Sequence, residues 1–313
     1  MFDDEFNILY NRAETEVQLN GLHVPIMTKE IMFMCWLFFK QQDIIYFDGT
    51  FGRGGHYSYL RKLYPQMNAI CLDQDLQAVE YAQSQFSADI AAGKLNLQNK
   101  SFFDESFLEQ NKNSFDFALL DLGVSSPQLD DGSRGFSFLH DGPLDMRMNR
   151  NQELSAARVL NESSEEELNQ IFRNYGEVKS PYRVTRAIVN DRKIKNYETT
   201  REVASLIERV DGWRKKGFHP ATQYFMALRL VVNSELDGLE KSLPKVMDCL
   251  KDKGLLAVLS FHSLEDRIIK NVFKSSELGQ NIIKKVIVAS DEEVAKNPRS
   301  RSAKLRFFQK VLE

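Results

Sequence analysis

The sequence predicts a doubly wound α/β fold with a mainly parallel sheet and an inserted all-helical domain. Two observations predict it. Short apolar strands alternate with helical patterns between Ile44 and Leu122, and the next convincing strand appears only at Leu255–Phe261. Alternation of this kind is typical of a parallel sheet with helices on both faces. Because a strand returns after a long interruption, we expect the sheet domain to be discontinuous in the chain.

The elements of the first half follow from apolar runs and helical spacing. Ile31–Phe39 is apolar but far shorter than the roughly 20 residues of a membrane span, so it predicts a buried helix. The strands are predicted at Ile44–Phe47, Ala69–Leu72, Leu95–Gln98 and Phe115–Leu122, and the helices at about His56–Leu63 and Leu76–Ala91.

The insertion is predicted from the absence of buried strands after Pro127. Helical stretches are expected at 164–174, 184–191 and 200–210, and Ser164 and Thr199 supply N-cap residues followed by acidic side chains. The predicted sheet domain is 1–127 with 218–313, and the helical domain is 128–217. A helical region at 221–251 precedes the returning strand, and 282–288 and 304–311 are expected to pair as an antiparallel edge.

Composition limits the classes of protein that the chain can represent. Its 313 residues are 42% hydrophobic and 27% charged, as in ordinary globular proteins. Three cysteines (Cys35, Cys71 and Cys249) with no C-x-x-C spacing predict neither a disulfide framework nor a metal site. The acidic start differs from a signal peptide, so a soluble, cytoplasmic protein is expected, with no membrane partner. The net charge of -3 argues against a protein that coats DNA or RNA non-specifically.

The stretch D-G-T-F-G-R-G-G-H, Asp48 to His56, follows the first predicted strand and is a candidate ligand turn. The dinucleotide spacing G-x-G-x-x-G fails because Tyr57 follows Gly52 and Gly54 where a third glycine would stand. Asp48 would also repel a pyrophosphate, so a nicotinamide-dependent dehydrogenase is disfavoured. A cationic ligand such as S-adenosylmethionine suits the turn better. The alternative is a glycine-rich structural turn.

Two further strand ends carry acids that fit such a ligand. Asp73 closes the second strand about 20 residues after the glycine turn, where a ribose-binding acid is expected. Asp121 closes the fourth strand and is followed by Ser125-Ser126-Pro127-Gln128. This loop partly resembles the Ser-Pro-Pro-aromatic loop of enzymes that methylate exocyclic amines of bases. The alternative is an Asp cap followed by an ordinary Ser-Pro turn.

An RNA base or backbone would need stacking and cationic partners. Phe136, Phe138 and His262 are candidates for base contacts. Core packing is the simpler explanation for the two phenylalanines, and a structural hydrogen bond is an equally simple one for His262. Arg299 and Arg301 lie in a C-terminal segment that lacks acids and are candidates for phosphate contacts.

Long motifs make a specific resemblance. Eight motifs resemble, in the same order, those of the bacterial 16S ribosomal RNA cytosine-N4 methyltransferases, the methyltransferase H family. They are Asp48–His56, Asp121–Gln128, Arg134-Gly-Phe-Ser-Phe138, Gly142–Met148, Tyr175-Gly-Glu177, His219-Pro-Ala-Thr222, Ser260–Arg267 and Asn297–Ala303. The match runs from about His23 to Arg306.

The resemblance implies a Rossmann-like class I methyltransferase that uses S-adenosylmethionine to methylate N4 of a decoding-centre cytosine in the small ribosomal subunit. It implies cofactor contacts at Gly54, Gly55, His56, Asp73, Phe102, Asp121 and Gln128. The chemistry of the glycine turn itself predicts two more contacts, at Asp48 and Gly52. Phe103 is an alternative to Phe102.

Acceptors for the target amine are expected at Asp121 or at Ser125, Ser126 and Pro127. The chain departs from the family pattern at Gln223 and Met226, which weakens an RNA contact by that helix. A non-catalytic RNA-binding assembly factor with a vestigial cofactor pocket remains the alternative function.

Overall fold

The computed structural model describes residues 4–19, 25–40, 42–212 and 219–312, with the side chains of residues 18 and 19 excepted. The chain divides into two compact units. The sheet unit comprises Met1–Gly123 and Asp237–Glu313, and the helical unit comprises Val124–Leu236. Both His23, where the family resemblance begins, and the predicted domain boundary at 217/218 lie outside the described residues.

The sheet unit contains the predicted mainly parallel sheet. Its strands are β1 (Ile45–Asp48), β2 (Asn68–Asp73), β3 (Leu95–Asn99), β4 (Phe115–Asp121), β5 (Leu250–Ser260), β6 (Gly279–Asn281), β7 (Ile287–Val288) and β8 (Lys304–Lys310). The order is β3-β2-β1-β4-β5-β8-β6, and β7 also pairs with β8. Strands β1 to β5 are parallel, whereas β8 runs antiparallel to its neighbours.

Both faces of the sheet are buried, as the apolar runs predict. In β5 the side chains of Leu255, Ala257 and Leu259 join one apolar core, and Leu256 and Val258 join another. Because side chains alternate along a strand, an uninterrupted apolar run supplies both cores at once.

Helices cover these cores. Those of the sheet unit are α1 (Asp4–Leu19), α2 (Thr28–Phe39), α3 (Gly55–Leu63), α4 (Leu76–Gln85), α5 (Ser87–Ala91), α6 (Glu105–Gln110), α14 (Ser263–Ser275) and α15 (Asp291–Lys296). Helix α13 (Glu235–Asp248) also belongs to this unit from Asp237 onward. The helix predicted over 76–91 is interrupted at Phe86, whose ring packs on Phe51 and Tyr57.

The antiparallel pairing predicted between 282–288 and 304–311 is confirmed for Ile287–Val288, which pairs with the start of β8, but the sheet also gains β6 beside β8. Strand β8 does not lie at an edge, because it pairs with β5 on one side and with the short β6 and β7 on the other. Strand β5 also begins earlier than expected, at Leu250, ahead of a register irregularity opposite Phe115 and Phe117.

The helical unit has its own apolar core. Its helices are α7 (Ser126–Asp130), α8 (Ala156–Glu162), α9 (Glu165–Asn174), α10 (Tyr182–Asp191), α11 (Thr200–Asp211) and α12 (Ala221–Val232); α13 (Glu235–Asp248) begins at its end. Ser164 and Thr199 form capping boxes with Glu167 and Glu202, as the cap signals predict.

The unit extends beyond the expected 128–217. Tyr224, Phe225 and Leu228 of α12 belong to its core, so this helix does not belong to the sheet unit as predicted. Within the described ranges, no helix has the length and apolar character needed to cross a membrane.

Candidate active site at the carboxyl edge of the sheet

Strand β1 lies between β2 and β4, at the point where the strand order reverses. In open α/β sheets, ligands bind outside the carboxyl ends of the strands at such a point. Asp48, Asp73 and Asp121 are the last residues of β1, β2 and β4. The sequence therefore brings three carboxylates to the edge where a ligand is expected.

Asp48 is a buried carboxylate, 2% exposed. Its Oδ2 accepts a hydrogen bond from the Tyr46 hydroxyl at 2.7 Å, and its Oδ1 accepts one from the Thr50 backbone N–H at 3.0 Å. Burial raises the pKa of Asp48 to about 6, although both hydrogen bonds act in the opposite direction. A cation bound beside this carboxylate would favour its ionised form.

The glycines after Asp48 serve different purposes. A Cβ atom at Gly54 would collide with the Phe86 ring, and one at Gly55 would lie 2.6 Å from Pro25 Cγ. Gly52 has a left-handed φ of +55°, and the nearest atom to a Cβ there would be a loop oxygen at 4.0 Å. Gly54 and Gly55 are therefore required by internal packing, whereas Gly52 borders open space.

Asp73 ties the glycine turn to β2. Its Oδ2 accepts the Gly52 N–H at 2.6 Å, and its Oδ1 accepts the Asp75 N–H at 2.8 Å. Each carboxylate oxygen has two lone pairs, so each can accept one more hydrogen bond, for example from a ribose hydroxyl. The turn and the candidate ribose acid thus form one connected structure.

Thr50 is a site residue that the sequence analysis missed. Its Oγ1 accepts the backbone N–H of Asp121 at 2.6 Å and lies 3.5 Å from Asp48 Oδ1. One hydroxyl therefore joins the ends of β1 and β4. Its position inside the motif Asp48-Gly-Thr50 was the available signal, because a hydroxyl two residues after a strand-end acid is well placed for such a bond.

The ring of His56 lies at the same edge. His56 is the second residue of α3 and is 6% exposed. Its Nε2 lies 3.6 Å from Asp121 Oδ2, and Asp121 itself is 30% exposed. In the part of the chain that the structure describes, neither ring nitrogen has a hydrogen-bond partner.

The two candidate phenylalanines after β3 differ in their surroundings. A Cβ atom at Gly49, in the turn after β1, would lie 2.9 Å from Phe102 Cβ. A Cβ atom at Gly238 of α13 would instead collide with the Phe103 ring. Phe102 therefore adjoins the glycine turn, and Phe103 packs on a helix of the core.

Three predicted residues, His262, Arg299 and Arg301, lie near the carboxyl end of β5. His262 is the N-cap of α14, with Nδ1 accepting the Glu265 N–H at 3.4 Å and Nε2 3.0 Å from Glu265 Oε1. Both ring nitrogens thus face a residue of its own helix. Arg299 and Arg301 are exposed in a 3-10 turn, Pro298–Ser302, just before β8.

That turn lies at the carboxyl edge of the sheet. Ser260, the last residue of β5, pairs with Lys304, the first residue of the antiparallel β8. The start of β8 and the end of β5 are therefore neighbours. Ser260 is fully buried, and among the described residues its hydroxyl has no hydrogen-bond partner.

The remaining predicted residues belong to the helical unit. The N–H and the hydroxyl of Ser125 both donate to Gln128 Oε1, at 2.8 and 3.1 Å, which caps the short helix α7 that continues through Ser126 and Pro127. Phe136 is 7% exposed beneath the Arg134 guanidinium, so its packing is that of a core residue.

Phe138 has a different environment in the same unit. It is only partly buried and packs on His219 at 4.5 Å and on Phe225 at 5.0 Å between ring centroids. His219 was not among the predicted site residues, although it belongs to the motif His219-Pro-Ala-Thr222. Of the two predicted aromatic residues, Phe138 is the more accessible.

A family model and sequence relatives point to the same family. Residues 20–311 match the model of the MraW methylase family. A Bdellovibrio bacteriovorus protein named Ribosomal RNA small subunit methyltransferase H is 54% identical over 96% of this chain and 91% of its own length. Proteins of the same name from Coprothermobacter proteolyticus and Acaryochloris marina are 40% and 42% identical, each over 92% of this chain and over 96% and 94% of their own lengths.

Proposed function

The chain belongs to the MraW methylase family, and on that premise we propose that it methylates N4 of a decoding-centre cytosine in 16S ribosomal RNA. S-adenosylmethionine is the methyl donor. The observation that carries the proposal is that Asp48, Asp73 and Asp121 end three neighbouring strands at the point where the strand order reverses.

The residues at this edge suit the cofactor. A dinucleotide pyrophosphate would meet three carboxylates, whereas S-adenosylmethionine brings a sulfonium, an ammonium and a ribose diol. The buried Asp48 supplies negative potential for the cationic part, and Asp73 retains acceptor capacity for the ribose. Open space beside Gly52 lets a ligand approach the backbone.

The family resemblance assigns further contacts with the cofactor, which we retain as part of the proposal. They are Gly54, Gly55, His56, Phe102, Asp121 and Gln128. The position of Phe102 beside Gly49 supports its assignment over that of Phe103. The packing of Gly54 and Gly55 on Phe86 and Pro25 supports a role in shaping the turn.

The chemistry requires the chain to orient a weak nucleophile. The cofactor supplies an electrophilic methyl group. The lone pair of a cytosine N4 amine is delocalised into the ring, so a group that accepts hydrogen bonds from its N–H atoms favours the pyramidal, reactive geometry. Asp121 is the acceptor that we assign, because it closes β4 with 30% of its side chain exposed. The nitrogen can lose its proton after methyl transfer, so no strong base is needed.

Ser125, Ser126 and Pro127 are the other candidates for orienting the amine. The Ser125 hydroxyl is engaged by Gln128, so its structural role is already evident. We therefore place Asp121 first and retain the backbone of this loop as a second source of acceptors.

The substrate is RNA, and we propose the small ribosomal subunit as its physiological form. Arg299 and Arg301 are exposed beside the carboxyl end of β5, which supports phosphate contacts there. We propose the helical unit as the RNA-substrate domain, with Phe138 as a stacking residue. Its segment 179–195 holds one acid, Asp191, against six cations: Lys179, Arg183, Arg186, Arg192, Lys193 and Lys195.

Several of these cations already have partners inside the helical unit. Arg186 lies 3.8 Å from Glu165, and Lys195 lies 2.6 Å from Glu202. Arg192 donates to a backbone carbonyl, and Lys193 donates to Asn190 Oδ1 at 3.3 Å. Lys179 and Arg183 are exposed. We therefore expect Lys179 and Arg183 to contribute more to RNA binding than the other four.

The test is methyl transfer from labelled S-adenosylmethionine to small-subunit RNA, offered naked and as assembled subunits. We expect N4-methylcytosine in the product and loss of label in Asp121→Ala. Asp116→Ala, at the other end of β4, is the matched control, and circular dichroism verifies folding. If wild-type protein labels no form of the subunit while it binds RNA, the non-catalytic assembly factor is the correct alternative.

A further inference from the structure

The imidazole ring of His56 lies at the carboxyl edge of the sheet, and the proposed function assigns it no chemical role. The family resemblance places His56 at the cofactor but does not say which of its atoms acts. Its ring is 6% exposed, and among the described residues neither nitrogen has a hydrogen-bond partner. Buried polar groups are normally paired, so an unpaired imidazole in a candidate active site requires an explanation.

The His56 ring is oriented toward the side chain of Asp121. Nε2 lies 3.6 Å from Asp121 Oδ2, only slightly beyond hydrogen-bond distance. The backbone of Asp121 is fixed independently, because its N–H donates to Thr50 Oγ1 at 2.6 Å. With the main chain anchored, the side-chain rotation of Asp121 is the remaining freedom, and His56 faces that side chain.

We propose that His56 is a positioning residue for methyl transfer, whose Nε2–H holds Asp121 Oδ2 so that the carboxylate keeps one fixed orientation toward the target amine. This inference rests on the proposed function of Asp121. The contact with the cofactor that the family assigns to His56 is then made by the backbone at the start of α3 rather than by the ring.

The alternative is that His56 merely fills space under the turn. An imidazole is a poor filler here, because leaving two buried nitrogens without partners costs free energy that an apolar ring would not. His56 also shares this edge with Asp48, so two carboxylates lie near one imidazole. Such a setting favours a ring that presents an N–H to a carboxylate over one that presents a lone pair.

Three substitutions distinguish the effect of the ring nitrogens of His56 from the effect of the volume that its ring fills. In His56→Gln the amide nitrogen can occupy the position of Nε2, in His56→Asn it can reach only that of Nδ1, and in His56→Phe the ring remains without any donor. We expect His56→Phe and His56→Asn to lower the single-turnover rate about 10- to 100-fold, because a misplaced catalytic group has effects of that size. His56→Gln should recover most of the rate.

The affinity for S-adenosylmethionine is measured beside the rate, by calorimetry on the same variants. A positioning role predicts less than about a threefold change in the dissociation constant, because only the transition-state geometry is affected. An equal loss of affinity and rate would show that the ring binds the cofactor and would overturn the proposal. Rescue by Asn instead of Gln, or wild-type rates in all three variants, would overturn it as well.

A second measurement does not depend on activity. The ring ¹⁵N resonances of His56 in the protein without cofactor should show a proton on Nε2, and Asp121→Asn should shift that resonance while leaving those of His262 unchanged. If the wild-type protein transfers no methyl group but this shift occurs, the contact stands and the proposed function fails. If methyl transfer occurs and the shift does not, the function stands and the positioning role fails.

Discussion

In the helical unit the guanidinium of Arg134, 2% exposed, donates hydrogen bonds to the carbonyls of Arg147 and Met148 at 3.0 and 3.3 Å. Near the strand ends of the sheet unit, the His56 ring is also buried, at 6% exposed, but neither of its nitrogens has a hydrogen-bond partner within the described residues. Asp48 is buried there with its pKa raised to about 6. Arg134 therefore secures backbone within its own unit, whereas the His56 ring lies at the candidate active site without such a role.

This difference distinguishes buried polar groups that stabilise the fold from those placed at the candidate active site. Asn233, 6% exposed, repeats the pattern of Arg134, because it donates to the carbonyls of Met146 and Arg229 and accepts the Met148 N–H. Such paired groups hold irregular backbone in place at little cost. At the strand ends, by contrast, Asp48 keeps a buried carboxylate whose burial raises its pKa to about 6 and therefore costs stability at neutral pH.

The first prediction tests the helical unit. Arg134→Met should lower the free energy of unfolding by about 4 kcal/mol, because it removes buried charged donors from two carbonyls. Urea denaturation measures the effect. Arg158→Met is the matched control: Arg158 is 45% exposed and paired with Glu153 and Glu162, so we expect a change of about 0.5 kcal/mol at most. Equal effects of the two variants would contradict the contrast between the units.

The second prediction tests the strand ends through pH. The folded protein holds the Asp48 proton up to about pH 6, whereas the unfolded chain loses it near the ordinary value of 3.8. The stability that this proton provides is present below pH 3.8 and is lost as the pH rises through 6. Asp48→Asn should therefore be more stable than wild type at pH 8, by about 3 kcal/mol, and no more stable at pH 3.5.

Asp266 is the opposite case and the control for Asp48. The Arg306 guanidinium, at 2.7 Å, and Lys304, at 3.6 Å, lower the pKa of Asp266 despite its burial. Its contribution to stability is present above the unfolded value and is lost as the pH falls through the lowered one. Asp266→Asn should therefore be less stable than wild type at pH 8. If both Asn variants shift stability in the same direction, burial and pairing are not the causes.

Much of the fold follows from the sequence because apolar runs and strand ends are local signals. Asp48, Asp73 and Asp121 were placed at one edge because the carboxyl ends of parallel strands lie side by side. The motif Asp48-Gly-Thr50 was a signal for Thr50 itself. Its bond to Asp121 and the approach of the His56 ring to Asp121 were not predictable, because they join residues far apart in the chain. The spacing of residues in the sequence predicts which residues lie at the carboxyl edge of the sheet. It does not predict which of their side chains face one another.

Two other differences have physical causes. Helix α1 was not predicted, although its buried residues Phe6, Tyr10, Ala13 and Val17 recur at helical spacing and pack against the same core as α2 and α3. That signal was available. The position of β8 between β5 and β6 was not, because an antiparallel strand at the end of the chain can pair with several neighbours.

The third prediction refines the contrast at the strand ends. Thr50→Val keeps the shape of the side chain but removes the oxygen that accepts the Asp121 N–H. We expect a loss of about 1.5 kcal/mol in the free energy of unfolding, unlike the gain expected for Asp48→Asn. Thr50→Ser keeps the hydroxyl and should lose less than half as much. A stable Thr50→Val variant would mean that the junction between β1 and β4 does not depend on this bond.

The smallest expected effect concerns Gly52. Gly52→Ala should lower the free energy of unfolding by about 1 kcal/mol, because φ is +55° and alanine disfavours that conformation. Gly93→Ala, with φ of +68° and nothing within 4 Å of a Cβ, is the control for the backbone cost alone. Calorimetry with S-adenosylmethionine should show weaker binding only for the Gly52 variant.

Gly52→Asn separates the backbone conformation from the space beside it. Asparagine tolerates the left-handed region better than alanine, so part of the lost stability should return. The added side chain still occupies the open space beside the turn, so cofactor affinity should remain low. Recovery of both stability and affinity in Gly52→Asn would mean that glycine is present for its conformation, and that the space beside Gly52 does not hold the cofactor.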